Sequence, residues 1–231
     1  MKRFYKEAAA EPTEGGWRVT LDGRPIRTAG GRAQVVPTQA LAEALAAEWA
    51  AQGEKIDTTT FHYRDLADFA IDAVAPARAT VITELVPYAE TDTLCYRADP
   101  DEALYKRQQE VWEPLLTTAE ARLGVTFARI SGIIHKQQPA ETLARLNAEL
   151  AARSDFELAA LKMLSSLAAS LVIALEAIQP DADADLLWKA AELEADWQVE
   201  LWGDDWEAAE RRAARFEAFR LAMSLAELSR A

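Results

Sequence analysis

The stretch that decides the fold is residues 155–178, DFELAALKMLSSLAASLVIALEAI. Asp155 stands where a helix N-cap is expected, and apolar side chains follow it at steps of three and four residues. The stripe consists of Leu158, Leu161, Leu164, Leu167, Leu171 and Leu175, broadened by Ile173 and Ile178. A helix with so wide an apolar stripe needs other helices packed around it. The stretch therefore predicts the central helix of a bundle, ended by Pro180-Asp181.

The chain on both sides of this stretch is also helical in pattern, from about Asp65 to the end. Asp99-Pro100-Asp101-Glu102 predicts a helix start, with Asp99 as the cap, and Gly124 predicts the end of that helix. Pro139 and Glu141 open another helix, and a last helix with a basic face follows Gly203. We therefore expect residues 65–231 to form a helical domain.

Residues 1–64 have a different pattern, which predicts a small α+β domain. Trp17 to Leu21 alternates apolar and polar residues as a half-buried strand does, and Asp22-Gly23 predicts a hairpin turn. Thr38 is expected to cap a helix with an inward face of leucine and tryptophan. Further short strands are predicted at Arg24–Thr28, Gln34–Val36 and Ile56–Tyr63. The fold class is thus α+β, with short antiparallel strands and a helix before the helical domain.

Composition limits the partners and the compartment. The chain has 231 residues and a formal net charge of −13, which disfavours nucleic acid and anionic membranes as partners. It contains no apolar run long enough to span a membrane, so we expect no membrane insertion. The single cysteine, Cys95, fits a reducing compartment, and no signal or transit pattern opens the chain. A cytoplasmic protein, monomeric when free, is expected.

Residues with catalytic or metal-binding chemistry are scarce. The two histidines, His62 and His135, belong to no Glu-x-x-His pair or Cys/His cluster. Gly30-Gly31 lacks the spacing of a phosphate-binding loop. We therefore expect no metal site, no cofactor and no enzymatic activity. The alternative is an enzyme with an acidic site at the domain junction that acts on a small cationic substrate.

The most informative segment for function is Leu193 to Gly203, LEADWQVELWG. On a helical wheel it has two apolar stripes, formed by Leu193, Trp197 and Leu201 and by Ala195, Val199 and Trp202. Glu194 and Gln198 fall in the narrow gap between the stripes, whereas Asp196 and Glu200 fall in the wide gap, which is expected to face solvent. A carboxylate between apolar walls loses hydration and needs a partner donor.

Three interpretations of the Leu193–Gly203 helix stay open at this point. The donor for Glu194 could be an arginine of the final helix, which would make the acid structural, or it could belong to another protein. Alternatively, the whole tryptophan-rich helix could be core, and the N-terminal domain would then bind the partner. Solvent exposure of Trp202 and Glu194 discriminates between a core helix and a binding surface. Glu194 and Asp196 are two positions apart on a helix, so their side chains diverge and cannot share a substrate.

An ordered set of segments resembles the family of assembly chaperones for the catalytic head of the F-type ATP synthase. The segments are Lys2-Arg3-Phe4-Tyr5-Lys6, Leu21-Asp22-Gly23-Arg24-Pro25, Val36-Pro37-Thr38, Glu48-Trp49-Ala50-Ala51-Gln52, Ala70-Ile71-Asp72, Thr91-Asp92-Thr93-Leu94-Cys95-Tyr96-Arg97, Gln109-Glu110-Val111-Trp112-Glu113-Pro114-Leu115, Gln137-Gln138-Pro139 and Leu193 to Gly203. The chain departs from the family pattern at Thr58–Tyr63, at Ala168-Ala169-Ser170, where the family tends to have glycine, and at the extra Trp206.

The resemblance implies an N-terminal α+β domain and a C-terminal orthogonal helical bundle. It implies a non-enzymatic chaperone without a cofactor, which binds the unassembled alpha subunit of the ATP synthase and shields the surface that later meets beta. It places the functional acid at Glu194, with Asp196 as second choice. The expected partner-binding residues are Glu194, Gln198, Trp202, Asp196 and Trp197.

Overall fold

The computed structural model describes residues 1–132, 135–203 and 206–230. The chain divides into two compact units. The first consists of Met1–Arg78, Ser154–Ala160 and Leu221–Ala231, and the second of Ala79–Arg153 and Leu161–Arg220. The domain boundaries expected from the sequence, 1–64 and 65–231, stay a prediction. The fold class is confirmed, since a small antiparallel sheet with helices is followed by a helical region.

The sheet of the first unit has three antiparallel strands in the order β1 (Ala8–Thr13), β2 (Gly16–Leu21) and β3 (Arg24–Pro25). The predicted strand at Trp17 to Leu21 is confirmed as β2. The predicted hairpin is confirmed too, because Asp22 and Gly23 both have positive φ, 48° and 74°, as a tight turn between these strands requires. Sequence reasoning missed β1, whose alanines and proline have low strand propensity; β1 is held by its full-length pairing with β2.

Among the other strand predictions in this unit, one was too long and two were wrong. The return strand ends at Pro25, and Val36 contributes a single bridge to Trp17 rather than a strand. The stretch Ile56–Tyr63 is not a strand. It contains a 3₁₀ turn, Thr58–Thr60, whose start is capped by the Asp57 side chain at the Thr59 amide, and then the beginning of a helix. Local capping by an acidic side chain therefore overrode the strand propensity of the threonines.

The first unit also contains α1 (Gln39–Ala50) and α2 (His62–Phe69). Thr38 caps α1 as predicted, because its hydroxyl accepts from the Leu41 amide at 3.1 Å. The inward face of α1 is confirmed as Leu41, Leu45 and Trp49. A π-helical turn, Ala70–Val74, and a 3₁₀ turn, Ala75–Ala77, follow α2 and lead to α3 (Arg78–Leu85).

The second unit is mainly helical. The elements that follow α3 along the chain are α4 (Pro87–Glu90), a 3₁₀ turn (Thr93–Cys95), β4 (Tyr96–Arg97), α5 (Ala103–Leu123), β5 (Ile130–Ser131), α6 (Ala140–Ala151), α7 (Asp155–Ala168), α8 (Leu171–Ala177), α9 (Ala184–Ala191), α10 (Leu193–Trp202) and α11 (Trp206–Leu228). The start of α7 and the end of α11 belong to the first unit, and the rest of these elements to the second. Strands β4 and β5 pair in parallel. Gly124, at φ 66°, ends α5 as predicted, but α5 begins at Ala103, because residues 99–102 form a turn before it. No helix among the described residues has the length and apolarity needed to cross a membrane.

The predicted central helix is buried but broken into α7 and α8. Ala169 adopts a left-handed conformation, φ 48°, and the Ser170 side chain caps α8. The fully buried Asp92 stabilises the break, because it accepts from the Ser170 hydroxyl at 2.7 Å and from the Val172 amide at 2.9 Å. Burial raises the pKa of Asp92 to about 6. The break explains why glycine suits this position, since it reaches positive φ without steric cost.

Candidate functional site

The helix α10 is mostly exposed, which corrects the expectation that two apolar walls enclose Glu194. Leu193 alone is buried within α10; Trp197 and Val199 are half-buried. Leu201 is 56% exposed and Trp202 is 81% exposed. The hypothesis that this helix is entirely core is therefore wrong. Exposed apolar residues of this size, close together in sequence, are typical of an interaction surface.

Glu194 meets an amide rather than an arginine. Gln108 of α5 donates from Nε2 to the Glu194 carboxylate at 2.8 Å. The residue as a whole is exposed, but the carboxylate end is partly desolvated against α5, and this burial raises the pKa of Glu194. This hydrogen bond comes from a neutral group, and among the described residues no Lys or Arg lies within 4 Å of the Glu194 carboxylate, so no ion pair there neutralises its charge. The structural alternative, an ion pair between Glu194 and the final helix, is wrong.

The ion pair with the final helix exists, but it is made by acids other than Glu194. Glu192 is 8% exposed, and Arg215 of α11 donates to it at 3.0 Å. Arg212 lies 3.8 Å from Glu192 and donates to Asp196 at 3.0 Å. Asp196, the second choice for the functional acid, is thus already paired within its own unit.

Sequence reasoning missed Glu192 because the helical wheel began at Leu193. The signal was nevertheless present in the spacing. Glu192 and Asp196 are four residues apart, and Arg212 and Arg215 are three residues apart, so each pair lies on one side of its helix. Two acids four residues apart and two arginines three residues apart, on successive helices, are the pattern of an ion-pair network between those helices.

Glu200 and Trp197 are both tied to Arg107 of α5. The Arg107 guanidinium contacts the two oxygens of Glu200 at 2.5 and 2.8 Å and lies 5.6 Å from the centre of the Trp197 ring. The hydrogen bond from Arg107 lowers the pKa of Glu200. Glu200 is exposed, as the wheel predicted, but it is not free. These contacts fix α10 against α5 and leave Trp197 with one face covered.

Glu194, Gln198 and Trp202, here called the outward stripe, are all exposed residues of α10, although the Glu194 carboxylate also contacts α5 through Gln108. Trp202 donates from its indole nitrogen to Gln198 at 3.1 Å, so the polar edge of the indole is satisfied while its rings stay open. Gly203 follows with φ 89° and ψ 164°, a conformation essentially restricted to glycine, and it ends the helix directly after Trp202. Trp206, at the start of α11, is 72% exposed. The Glu194 carboxylate, the Gln198 amide and the exposed ring of Trp202 thus lie next to one another along α10.

The site is not arranged for acid–base chemistry. The carboxylates of Glu194 and Asp196 are held by different partners, Gln108 and Arg212, and do not converge. Cys95 is buried, and burial raises the pKa of its thiol well above the ordinary range. Within residues 1–132, 135–203 and 206–230, no group of three or more His, Cys, Asp or Glu side chains is placed to hold a metal ion.

Comparison with known proteins identifies the family. The model of the ATP12 chaperone protein family matches residues 2–120, just over half of the chain. The chain belongs to the ATP12 chaperone family. Its similarity to ATP12 proteins extends to the whole fold, as the solved structures show.

Two structures of the Paracoccus denitrificans ATP12 protein share 37% of their sequence with this chain and superimpose with a TM-score of 0.94. One is the crystal structure of Atp12, which covers 99% of this chain and 98% of that chain. The other is an aspartate-to-lysine mutant, which covers 99% and 97%. The mitochondrial protein atp12 of Schizosaccharomyces pombe is 26% identical over 218 residues, which are 87% of this chain and 74% of the yeast protein. The ATP12 fold thus includes both units and α10.

Proposed function

We propose that this ATP12-family chaperone acts in assembly of the F-type ATP synthase by binding the unassembled alpha subunit and shielding its beta-facing surface. The observation that carries the proposal is the outward stripe of α10, where Trp202 is 81% exposed beside an unneutralised Glu194. An unassembled subunit exposes apolar surface that would otherwise aggregate. A chaperone that covers this surface needs exposed apolar area of its own, together with polar groups that fix the orientation.

The roles of the five expected residues differ in this proposal. Trp202 supplies apolar area and Glu194 a charged acceptor for a donor on the client. Gln198 holds the Trp202 indole in place and keeps its amide N–H groups available. Trp197 and Asp196 support the surface from within, because Arg107 covers one and Arg212 pairs with the other.

The excess of acidic residues near the outward stripe favours a client whose contacting surface is bordered by basic residues. Residues 181–210 contain eleven acidic residues and one basic residue, Lys189. Asp185, Glu194 and Glu210 are exposed, and no Lys or Arg of the described chain lies within 4 Å of their carboxylates. Like charges also disfavour pairing of this surface with a second copy of itself. We therefore propose that the free protein is a monomer.

The test is a charge reversal at Glu194 with a matched control. Glu194→Lys is expected to leave the fold intact, since the residue is exposed and its only bond is to a neutral amide. It is expected to weaken capture of the alpha subunit by about 2–5 kcal/mol, because a cation would replace the acceptor in the interface. Glu14→Lys makes the same charge change at an exposed position of the first unit and is expected to bind normally.

Co-purification with the alpha subunit and a thermal melt of each variant decide the question. Equal capture by Glu194→Lys and wild type, at equal melting temperature, would reject the assignment of Glu194. Failure of the wild-type protein to bind alpha under any condition would reject the proposed client itself.

We also propose that the protein is not an enzyme. The alternative was an enzyme with an acidic site at the domain junction, and a catalytic pair of Glu194 and Asp196 was considered separately. Their separate partners favour recognition over catalysis. The chaperone name of its family agrees with that interpretation. The single buried, unpaired cysteine supports a reducing compartment, and we propose the cytoplasm.

A further inference from the structure

Three of the segments that carry the sequence resemblance meet at one cavity of the first unit, which the proposed alpha-binding surface does not use. Phe4 and Tyr5 come from the first segment, Leu21 to Pro25 from the second, and Trp49 from the fourth. The cavity has a volume of about 640 Å³. This volume is within the range of pockets that hold small ligands or the side chains of a bound peptide.

One wall of the cavity is aromatic and held in place. Phe4 is 64% exposed and packs edge-on against Tyr5, with ring centres 5.3 Å apart. Tyr5 in turn packs against Trp49 at 5.7 Å and donates from its hydroxyl to the Trp49 carbonyl at 2.6 Å. An exposed phenylalanine on a fixed aromatic base offers a flat apolar surface to a ligand.

The acidic groups of the cavity are already satisfied. Asp22 accepts from the backbone amides of Lys6 and Glu7 at 3.0 and 2.9 Å, and these bonds lower its pKa. Asp68 is buried and accepts from the Ala29 amide at 2.9 Å and from Gln34 at 2.5 Å. Both carboxylates therefore already accept hydrogen bonds from the protein and are not the groups expected to bind a ligand.

Two of the three arginines that line the cavity have no carboxylate partner among the described residues. Arg64 is paired with Asp65 and lies over the Phe61 ring. Arg24 and Arg27 are exposed, and no carboxylate of the described residues lies within 4 Å of either guanidinium. Arg27 donates to the Gly31 carbonyl at 2.8 Å, which leaves most of its N–H groups open. The cavity thus combines spare cationic donors with an aromatic wall.

We propose that this cavity binds a carboxylate attached to an apolar or aromatic body, held by Arg24 and Arg27 and by the wall of Phe4, Tyr5 and Trp49. Guanidinium groups bind carboxylates in charge-assisted hydrogen bonds, and the aromatic wall buries the body. The carboxylate can come from a small molecule or from an acidic side chain beside an apolar one in a polypeptide. This site is independent of the proposed function at α10.

Calorimetric titration of the full chain with indole-3-acetate and with its neutral analogue indole-3-ethanol tests the proposal. The acid is expected to bind at least tenfold more tightly than the alcohol. The double variant Arg24→Gln/Arg27→Gln is expected to lose this difference, while Lys55→Gln, an exposed position away from the cavity, keeps it. Thermal melts check that each variant folds. No detectable binding, equal affinities, or a difference that persists in the double variant would overturn the proposal.

A second arm distinguishes the two sources of the carboxylate. Alpha-subunit capture is measured with and without saturating indole-3-acetate, once binding of the probe is established. Displacement of alpha would show that the client polypeptide also occupies the cavity, and unchanged capture would show that the cavity stays free for a small carboxylate while alpha is bound. Because the Glu194 test uses no probe, its outcome separates failure of the proposed function from failure of this site.

Discussion

Truncation of Trp202 is the most direct test of the outward stripe as a binding surface. Trp202 is 81% exposed in the free protein, and its indole makes one hydrogen bond, to Gln198. Trp202→Ala should therefore change the free energy of unfolding by less than about 0.5 kcal/mol, as is usual for exposed positions. A Trp side chain covers on the order of 200 Å², and 81% of Trp202 is exposed, so burying that exposed part in an interface is worth about 4 kcal/mol at roughly 25 cal/mol per Å².

The expected loss of affinity follows from that area. Tryptophans at the centre of interfaces typically cost about 2–4 kcal/mol when truncated, which raises the Kd for the alpha subunit about 30- to 1,000-fold. Trp202→Phe keeps most of the apolar area and loses only the bond to Gln198, so it should recover much of the affinity. Both variants are measured by calorimetry or by surface plasmon resonance with purified alpha subunit, next to thermal melts.

Unchanged stability together with unchanged affinity would refute the assignment of Trp202 to the interface. If Trp202→Ala melts at the wild-type temperature and binds alpha within threefold of wild type, the indole is not at the interface. In that case its exposure needs another explanation, and the remaining apolar residues, Leu201 and Trp206, become the next positions to truncate.

Three further predictions concern the second unit. Ala169→Gly should stabilise the protein by about 0.5–1 kcal/mol in chemical denaturation, since it relieves the positive φ at 48°; a loss of stability would contradict the strain. Asp92 is protonated more easily when folded, with a pKa of about 6, so its contribution to the free energy of unfolding falls as pH rises from about 4 to 6. Urea titrations should thus show greater stability at pH 5 than at pH 7, and the reverse order would count against this assignment. Arg215→Met should lower the free energy of unfolding by about 2–3 kcal/mol in the same urea titrations, because it removes a main partner of the buried Glu192. An unchanged free energy of unfolding would show that Arg212 alone is enough to pair with Glu192.

Local sequence determined the elements whose signals need no distant partner. Thr38 caps α1 through its own hydroxyl, Asp22-Gly23 turns the chain, and Gly124 ends α5, so each could be predicted from a few neighbouring residues. The apolar stripe of residues 155–178 likewise predicted a buried helical segment. The family resemblance predicted that the functional acid lies in α10, and this assignment stays a prediction.

Tertiary structure decided what the pattern left open. β1 depends on pairing with β2, and the break after Ala168 is stabilised by Asp92, far away in sequence. A helical wheel shows which side chains share a face, but not whether another element covers that face. For this reason the sequence could not tell that Glu192 and Asp196 meet arginines, that Gln108 meets Glu194, and that Trp202 is left open to solvent.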